Sequence, residues 1–477
     1  MDTETDAAAI EFGTDGWRAT LDEFTEPRVR MVGQAVAAYL RDEGATVSGP
    51  DRATVVVGYD AREHSRGFAE ELARVLCANG FDVLLPERDL PTPVTAWTVA
   101  ERGLAGGLVL TASHNPPEYN GVKFIPDGSP ATSDVTDAIA DRLAEPDPRP
   151  EAEWGSVTET DLVDPFLERA LDAVDADLSG RRVVYDAMHG SGRGVTDALL
   201  ERAGADVERL RCERDADFGG GAPEPVAERL ETLADRVAER GATLGVANDG
   251  DADRITVVTP ERGVLDPNLF FAATYDALLS GDVDTDLATG TSGDVVRTVS
   301  TSSIVDRVAE DHGEAVHETA VGFKWVAAAM AEHDALMGGE ESGGFGLSRH
   351  LRNKDGVLVA LLAAAVAADE SYDERVDRLL DDHGAIHQSR VSVNCPDERK
   401  EPVLDELESA LPDAVAGVAV DDVNTVDGFK IALEDGTWLL VRPSGTEPKM
   451  RIYAEAGSTD RVDELLDAGR DIVDPLV

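Results

Sequence analysis

Apolar residues along this chain follow two periods. Short branched or small runs, such as TVVVGY (54–59) and GGLVL (106–110), have the length and composition of strands buried on both faces. Between them lie stretches such as SRGFAEELARVLCANG (65–80), where apolar positions return every third or fourth residue, as on one face of a helix. The alternation predicts α/β layers on largely parallel strands.

The pattern recurs. RRVVYDAMHGSG (181–192) leads into VTDALLERAGA and ADVERLR, and DLATGTSGD (286–294) leads into SSIVDRVAEDHG and EAVHETA. Each series carries one loop (LPTPV, APEPV or AVGFKW) and then a second (TASHNPP, DGDADR or GGEESGG). This reads as a threefold repeat without literal identity, and predicts three alike α/β domains that present three loops to a common centre. The later segments QSRVSVN and GFKIALEDGTWLLVRPSGTEPKMRIYAEA read as hairpin strands, followed by a helix TDRVDELLDAGRDIV. The expected fold is therefore α/β with four domains, at 1–150, 151–255, 256–372 and 373–477. Three are similar mixed sheet-and-helix units, the last is a small α+β unit, and its linker is placed near residues 370–386. VLVALLAAAVAA (357–368) is too short to span a bilayer and reads as a buried helix.

Charge changes the picture more than length does. The 477 residues carry 95 acids against 43 bases, a formal net charge of -52, and the acids are spread along every segment. That describes an acidic surface rather than an acidic tail, and such a surface repels itself unless concentrated salt screens it. The expectation is a salt-rich cytoplasm, as in an extreme halophile. Nucleic acid is excluded as a partner, since no basic stripe is present. Cys77, Cys212 and Cys395 are too few and too scattered for a disulfide framework or a metal cluster. The N-terminal MDTETDAAAIEFGTDGWR has neither the basic nor the apolar region of a secretory leader, so the expected location is cytoplasmic, without a membrane partner.

The loops carry the chemistry. In DGDADR (249–254), Asp249, Asp251 and Asp253 alternate, with Arg254 beside them; carboxylates this close suit Mg²⁺ or Ca²⁺, and the spacing does not fit a helix-loop-helix calcium site. An ordinary acidic loop is the alternative. Ser113 and His114 in TASHNPPEYNG suggest a nucleophile, but the motif is not the GxSxG of a hydrolase, and adjacency in sequence does not place the imidazole on the hydroxyl. Lys123 nearby favours phosphate chemistry. RPSGTEPK (442–449) offers a guanidinium, hydroxyls and a glycine, as phosphate loops do, although a plain hairpin turn would use similar residues. GEESGG (339–344) offers Glu340, Glu341 and Ser342 for sugar hydroxyls. Of six lysines in the chain, Lys123, Lys324 and Lys449 fall in or beside these loops.

Taken in chain order, FGTDGWR, TASHNPPEYNGVK, DGDADR, VGFK, GEESGG and RPSGTEP resemble the α-D-phosphohexomutase family, which includes phosphoglucomutase, phosphomannomutase and phosphoglucosamine mutase. The resemblance implies four domains around a central cleft, the first three alike. It implies that Ser113 carries a phosphoryl group and exchanges it with a hexose phosphate through a 1,6-bisphosphate, which also serves as activator. Mg²⁺ would be held by Asp249, Asp251, Asp253 and the phosphate on Ser113. By motif, Lys123 is the candidate acid/base, Arg18 and His114 support the transferring group, and Lys324 lies on the opposite side. Arg254, Glu340 and Ser342 would bind the sugar end, and Arg442, Ser444, Gly445 and Thr446 the non-reacting phosphate. The expected substrate is glucose phosphate, with mannose phosphate second and glucosamine phosphate third, because GEESGG differs from the GEQSGH of glucosamine mutases. A non-catalytic sugar-phosphate binding protein is the reading outside this class. Oligomeric state is expected to be monomer or dimer.

Overall fold

The computed structural model describes residues 3–13, 16–49, 51–288, 290–445 and 447–477. Its first three sheets share one plan. In the first, Thr54–Tyr59 runs parallel to Asp82–Pro86 on one side and to Gly106–Leu110 on the other, and Tyr119–Ile125 returns antiparallel beside Gly106–Leu110. In the second, Arg182–Asp186 stands between Asp206–Leu210 and Leu244–Asn248, with Ile255–Thr259 as the antiparallel return. In the third, Val295–Thr298 stands between Val316–Thr319 and Met337–Gly339, with Phe345–Leu347 returning. Three parallel strands and one antiparallel return, in one order, make the repeat structural. The turn into each return strand is the same place in all three units, and it holds TASHNPPE, DGDADR and the ESGG loop respectively.

The central strands explain the apolar runs. Every residue of Gly106–Leu110 and of Leu244–Asn248 is buried, because helices cover both faces of a parallel sheet. Helix Gly356–Asp369 is apolar around its whole circumference and buried throughout its length except at a few positions near its end; Asp355 caps it by accepting from the N–H groups of Val357 and Leu358. One apolar core runs without a break from Val56 and Trp97 through Phe166 and Tyr185 to Phe345 and Val376, so the three units are packed as one body. No helix among the described residues is long and apolar enough to cross a membrane.

Sheet membership differs from the sequence boundaries. Val157–Thr160 pairs with Asp82–Pro86 and extends the first sheet past residue 150. Ile255–Thr259 and Gly263–Val264 belong to the second sheet, past residue 255. The stretch placed as a linker is largely helix Tyr372–His383, whose Tyr372, Val376 and Leu379 are buried in the shared core. Its polar composition hid this. The buried Arg375 pairs through its terminal nitrogens with Asp276, Asp282 and Glu370, so a charged face is an interior one. The strand of the third series is Val295–Thr298, just after the DLATGTSGD segment.

The fourth unit is a six-stranded sheet in the order His387–Asn394, Lys449–Ala456, Trp438–Pro443, Phe429–Leu433, Val418–Asn424, Ala414–Val415, every pairing antiparallel. Helices Asp397–Ala410 and Thr459–Val473 cover it over a separate core. It meets the third unit where Val299 and Val321 pack on Trp438, Leu440 and Tyr453.

Candidate functional site

Ser113 lies in the first return-strand turn and is fully buried, with a left-handed φ of 52°. A non-glycine residue holds that conformation only where its surroundings fix it. Here Arg62 does so. Its side chain donates to the carbonyls of Ser113 (2.8 Å), Asn115 (2.7 Å), Pro116 (2.7 Å) and Tyr119 (3.0 Å). Asp60 in turn accepts from Arg62 Nε at 3.0 Å, and Phe218 of the second unit lies under the guanidinium. The backbone N–H of Ser113 donates to Thr111 Oγ1 at 2.8 Å.

So fixed, Ser113 Oγ donates to Asp249 Oδ2 at 2.8 Å. Asp249, Asp251 and Asp253 each offer a carboxylate oxygen, all within 4.8 Å of one another, and all three residues are buried. Among the described residues, Oδ1 of Asp251 and Oδ1 of Asp253 have no protein hydrogen-bond partner. Buried, unsatisfied, all-oxygen donors at this density fit a hard divalent cation. Gly250 lets the loop reach Ser113, since a Cβ there would stand 2.6 Å from the Ser113 carbonyl oxygen. Asn248, assigned no part in the sequence reading, anchors the loop: its Nδ2 donates to the Arg254 carbonyl at 2.8 Å, and its Oδ1 accepts from Tyr185 and Thr196.

Two buried lysines offset the carboxylates. Lys123 Nζ lies 3.0 Å from Asp251 Oδ2 and 2.9 Å from Asp253 Oδ2, and Lys354 Nζ lies 2.8 Å from Asp253 Oδ2. Thr92, from the LPTPV loop, donates to Asp251 Oδ2 at 2.7 Å. Burial works to raise the Asp251 pKa, but Lys123 and Lys354 override it and hold Asp251 below the ordinary carboxylate range. Asp249 goes the other way: burial first, then its neighbours Asp251 and Asp253, push it well above that range. Without a cation the group cannot comfortably carry three charges. Arg254, then burial and Arg18, press the His114 imidazole down to about 2, so it stands neutral. Its Nδ1 is 3.4 Å from Ser113 Oγ, at the outer edge of hydrogen bonding, so the two adjacent side chains do meet loosely.

The GEESGG loop of the third unit reaches the acidic loop, and the RPSGTEPK loop lies in the fourth unit. The Ile255 N–H donates to the Gly343 carbonyl at 2.9 Å, and Arg254 forms an antiparallel bridge with Gly344, so the GEESGG loop rests on the acidic loop. Glu340 is buried and accepts from the Gly322 N–H at 3.0 Å; burial pushes its pKa up to about 6 against the pull of Lys354. Ser342 is exposed. Arg18 donates to Asn115 in the Ser113 loop at 3.2 Å. Lys324 contacts Ser133 of the first unit at 2.8 Å and lies over Trp325, and no contact joins it to the acidic group among the described residues. Arg442 and Ser444 are buried, Gly445 is exposed, and Thr446 lies outside the described residues. Lys400 Nζ holds this last loop by donating to the carbonyls of Ser444 (2.6 Å) and Glu447 (2.7 Å).

The chain matches four consecutive domain descriptions: phosphoglucomutase/phosphomannomutase alpha/beta/alpha domain I at residues 9–149, domain II at 164–263, domain III at 273–384, and the C-terminal domain at 391–472. It belongs to the phosphoglucomutase/phosphomannomutase family. Among similar curated proteins are a probable phosphoglucosamine mutase of Methanopyrus kandleri, 35% identical over 97% of both chains, and a phosphoglucomutase/phosphomannomutase of Thermococcus kodakarensis, 32% identical over 96% of this chain and 97% of that one. A solved structure of a putative phosphomannomutase from Thermus thermophilus is 30% identical, with a TM-score of 0.80 over 98% of this chain and 99% of that one. The family is thus one of mutases whose members carry different sugar names. Within it, sequence reasoning missed Arg62, Thr92, Asn248 and Lys354 as parts of the site. Lysine scarcity was an available signal for Lys354, one of only six.

Proposed function

We propose that this chain is a phosphohexomutase that moves a phosphoryl group between positions 1 and 6 of a hexose phosphate by way of phosphorylated Ser113. The observation that carries the reading is the 2.8 Å contact from Ser113 Oγ to Asp249 Oδ2, inside a buried acidic group flanked by Lys123 and Lys354. A serine aimed into oxygen donors and ammonium groups suits phosphoryl transfer, which depends on positioning and charge stabilisation.

In this mechanism the phosphoryl group leaves Ser113 Oγ for the free hydroxyl of the sugar monophosphate; Lys123 is the candidate acid/base, taking the hydroxyl proton as the neutral amine and returning it to Ser113 Oγ as the ammonium. The resulting 1,6-bisphosphate turns in the cleft and returns its other phosphoryl group to Ser113, which regenerates the phosphoenzyme. Asp249, Asp251 and Asp253, with the phosphate on Ser113, would hold Mg²⁺, which when bound neutralises charge on the transferring group. Arg18 steadies the Ser113 loop through Asn115, neutral His114 offers a polar contact beside Oγ, and Arg254 supplies positive charge. Glu340 and Ser342 take the sugar hydroxyls, while Arg442, Ser444, Gly445 and Thr446 take the distal phosphate, with Lys324 at the far side of the sugar loop. The acidic surface supports work in a salt-rich cytoplasm.

Glucose phosphate is the first choice of substrate and mannose phosphate the second. The names of relatives such as the M. kandleri protein support glucosamine phosphate as a further reading. Phosphorus NMR of glucose, mannose and glucosamine 1-phosphates, with Mg²⁺ and a trace of glucose 1,6-bisphosphate, ranks them directly. The expected result is a 6-phosphate that disappears with Ser113→Ala; free phosphate, or no change with a folded protein, would overturn the reading.

A further inference from the structure

The phosphate-binding arginine of the fourth unit and the buried carboxylate of the sugar loop are joined by a short polar path. Arg442 Nε donates to Asp427 Oδ2 at 2.9 Å. The same oxygen accepts the backbone N–H of Val321 at 3.0 Å. The next N–H, that of Gly322, donates to Glu340 Oε1 at 3.0 Å. Asp427 thus sits on the joint between two units, with one ligand from each.

Its position is built in. Gly428 has φ +84°, and a Cβ there would stand 2.2 Å from the Val441 carbonyl oxygen and 2.8 Å from Arg442 Cα. The Asp-Gly turn is therefore pressed against the backbone of Arg442. On the other side, Val321 packs into the apolar joint with Trp438, Leu440 and Tyr453. A guanidinium held through Nε has its plane fixed, which is what fork-like recognition of a phosphate needs.

We infer that Asp427 is a positioning residue that couples grip on the substrate's phosphate to grip on its sugar hydroxyls. An anion that draws Arg442 shifts the shared oxygen of Asp427, and with it the Val321–Gly322 peptide and Glu340. This rests on Arg442 and Glu340 serving as phosphate- and hydroxyl-binding groups, as proposed above.

The test is a double-mutant cycle on equilibrium binding of glucose 6-phosphate to the full chain by calorimetry, with the parent chain, Asp427→Asn, Glu340→Gln and the double variant. Each single change is expected to weaken binding about tenfold, and the double by well under the hundredfold product, because either change removes a carboxylate charge from the same path. Losses that multiply would overturn the coupling. Inorganic phosphate supplies the second arm: Asp427→Asn should weaken it, and Glu340→Gln should not. Asp427→Ala replaces Asp427→Asn if the latter unfolds early in a thermal scan. The cycle is run on the Ser113→Ala chain, which cannot turn the sugar over, so a wild-type chain that binds but does not isomerise sinks the mutase reading while the cycle still decides this one.

Discussion

The hydroxyl of Ser113 and the carboxylate of Asp249 stand 136 positions apart in the chain and 2.8 Å apart in space. They meet because each occupies the turn before the antiparallel return strand of its own sheet, and the two sheets share one core. Ser113 holds its left-handed φ against an intrinsic cost of about 1 kcal/mol or more. Function and local stability are therefore opposed at this residue. Ser113→Gly should melt higher than Ser113→Ala, by the equivalent of about 1 kcal/mol. Both should lose mutase activity by about 10³-fold or more. Equal melting temperatures for the two variants would show that the strain is not there.

The acidic group leads to a prediction about the cation. Asp249 is pushed toward its neutral form by burial and by Asp251 and Asp253, so without a metal its charge contributes little to the fold. Metal-free Asp249→Asn should unfold close to wild type. Adding Mg²⁺ should raise the wild-type melting temperature, by about 2.7 kcal/mol of stabilisation at a hundredfold excess over Kd, and should leave the variant nearly unmoved. Thermal scans with chelator and with Mg²⁺ read both terms.

Much of this was legible because parallel strands buried on both faces are unbroken apolar runs, and because each reactive loop carries residue types that have few other uses in sequence. TASHNPP and DGDADR stand out in sequence, whereas GEESGG by itself reads as an ordinary flexible loop. Arg62 does not: YDAREHS looks like a surface loop, and only folding brings its guanidinium under four carbonyls of the Ser113 turn. Helix Tyr372–His383 failed as a reading for a similar reason, since Arg375 is buried by partners from distant segments, Asp276 and Asp282. Local pattern reports which face is apolar. It does not report which charges will find partners across the fold.

Arg62 can be tested by a change that keeps its charge. Lysine cannot reach four carbonyls and Asp60 from one planar group. Arg62→Lys should lower kcat by about 10²-fold through misplacement of Ser113, with a smaller change in KM. Arg62→Ala, which leaves Asp60 buried and unpaired, should cost about 3–5 kcal/mol of stability. Steady-state kinetics and denaturant unfolding separate these two effects. An Arg62→Lys enzyme with wild-type kcat would refute the positioning role.

Glu340 should trade stability for function in a pH-dependent way. Its folded pKa of about 6 lies above the ordinary 4.5 because burial disfavours the carboxylate. The folded protein therefore binds this proton more tightly than the unfolded chain does, and the stability Glu340 contributes is lost as pH rises from about 4.5 through about 6. Glu340→Gln should match wild type at pH 4 and exceed it by up to about 2 kcal/mol at pH 8. The same variant should bind hexose phosphate more weakly. Unfolding curves of both proteins across that range decide the matter, and a constant offset between them would contradict the assigned cause.

Salt is the lever for the molecule as a whole. With 95 acids against 43 bases, the folded chain concentrates like charge on its surface while the unfolded chain spreads it. Raising ionic strength from 0.1 M to 1 M shortens the screening length from about 10 Å to about 3 Å, and this favours the compact state. The melting temperature should therefore climb steeply with KCl at low concentration. The surface ion pairs, such as Arg66 with Glu70 and Glu159, should contribute little to the opposite trend, because exposed pairs are worth at most about 1 kcal/mol. KCl and NaCl at equal ionic strength should agree over this range if screening is the cause. A melting temperature that stays flat or falls with salt would mean that the acidic surface is already neutralised by the fold itself.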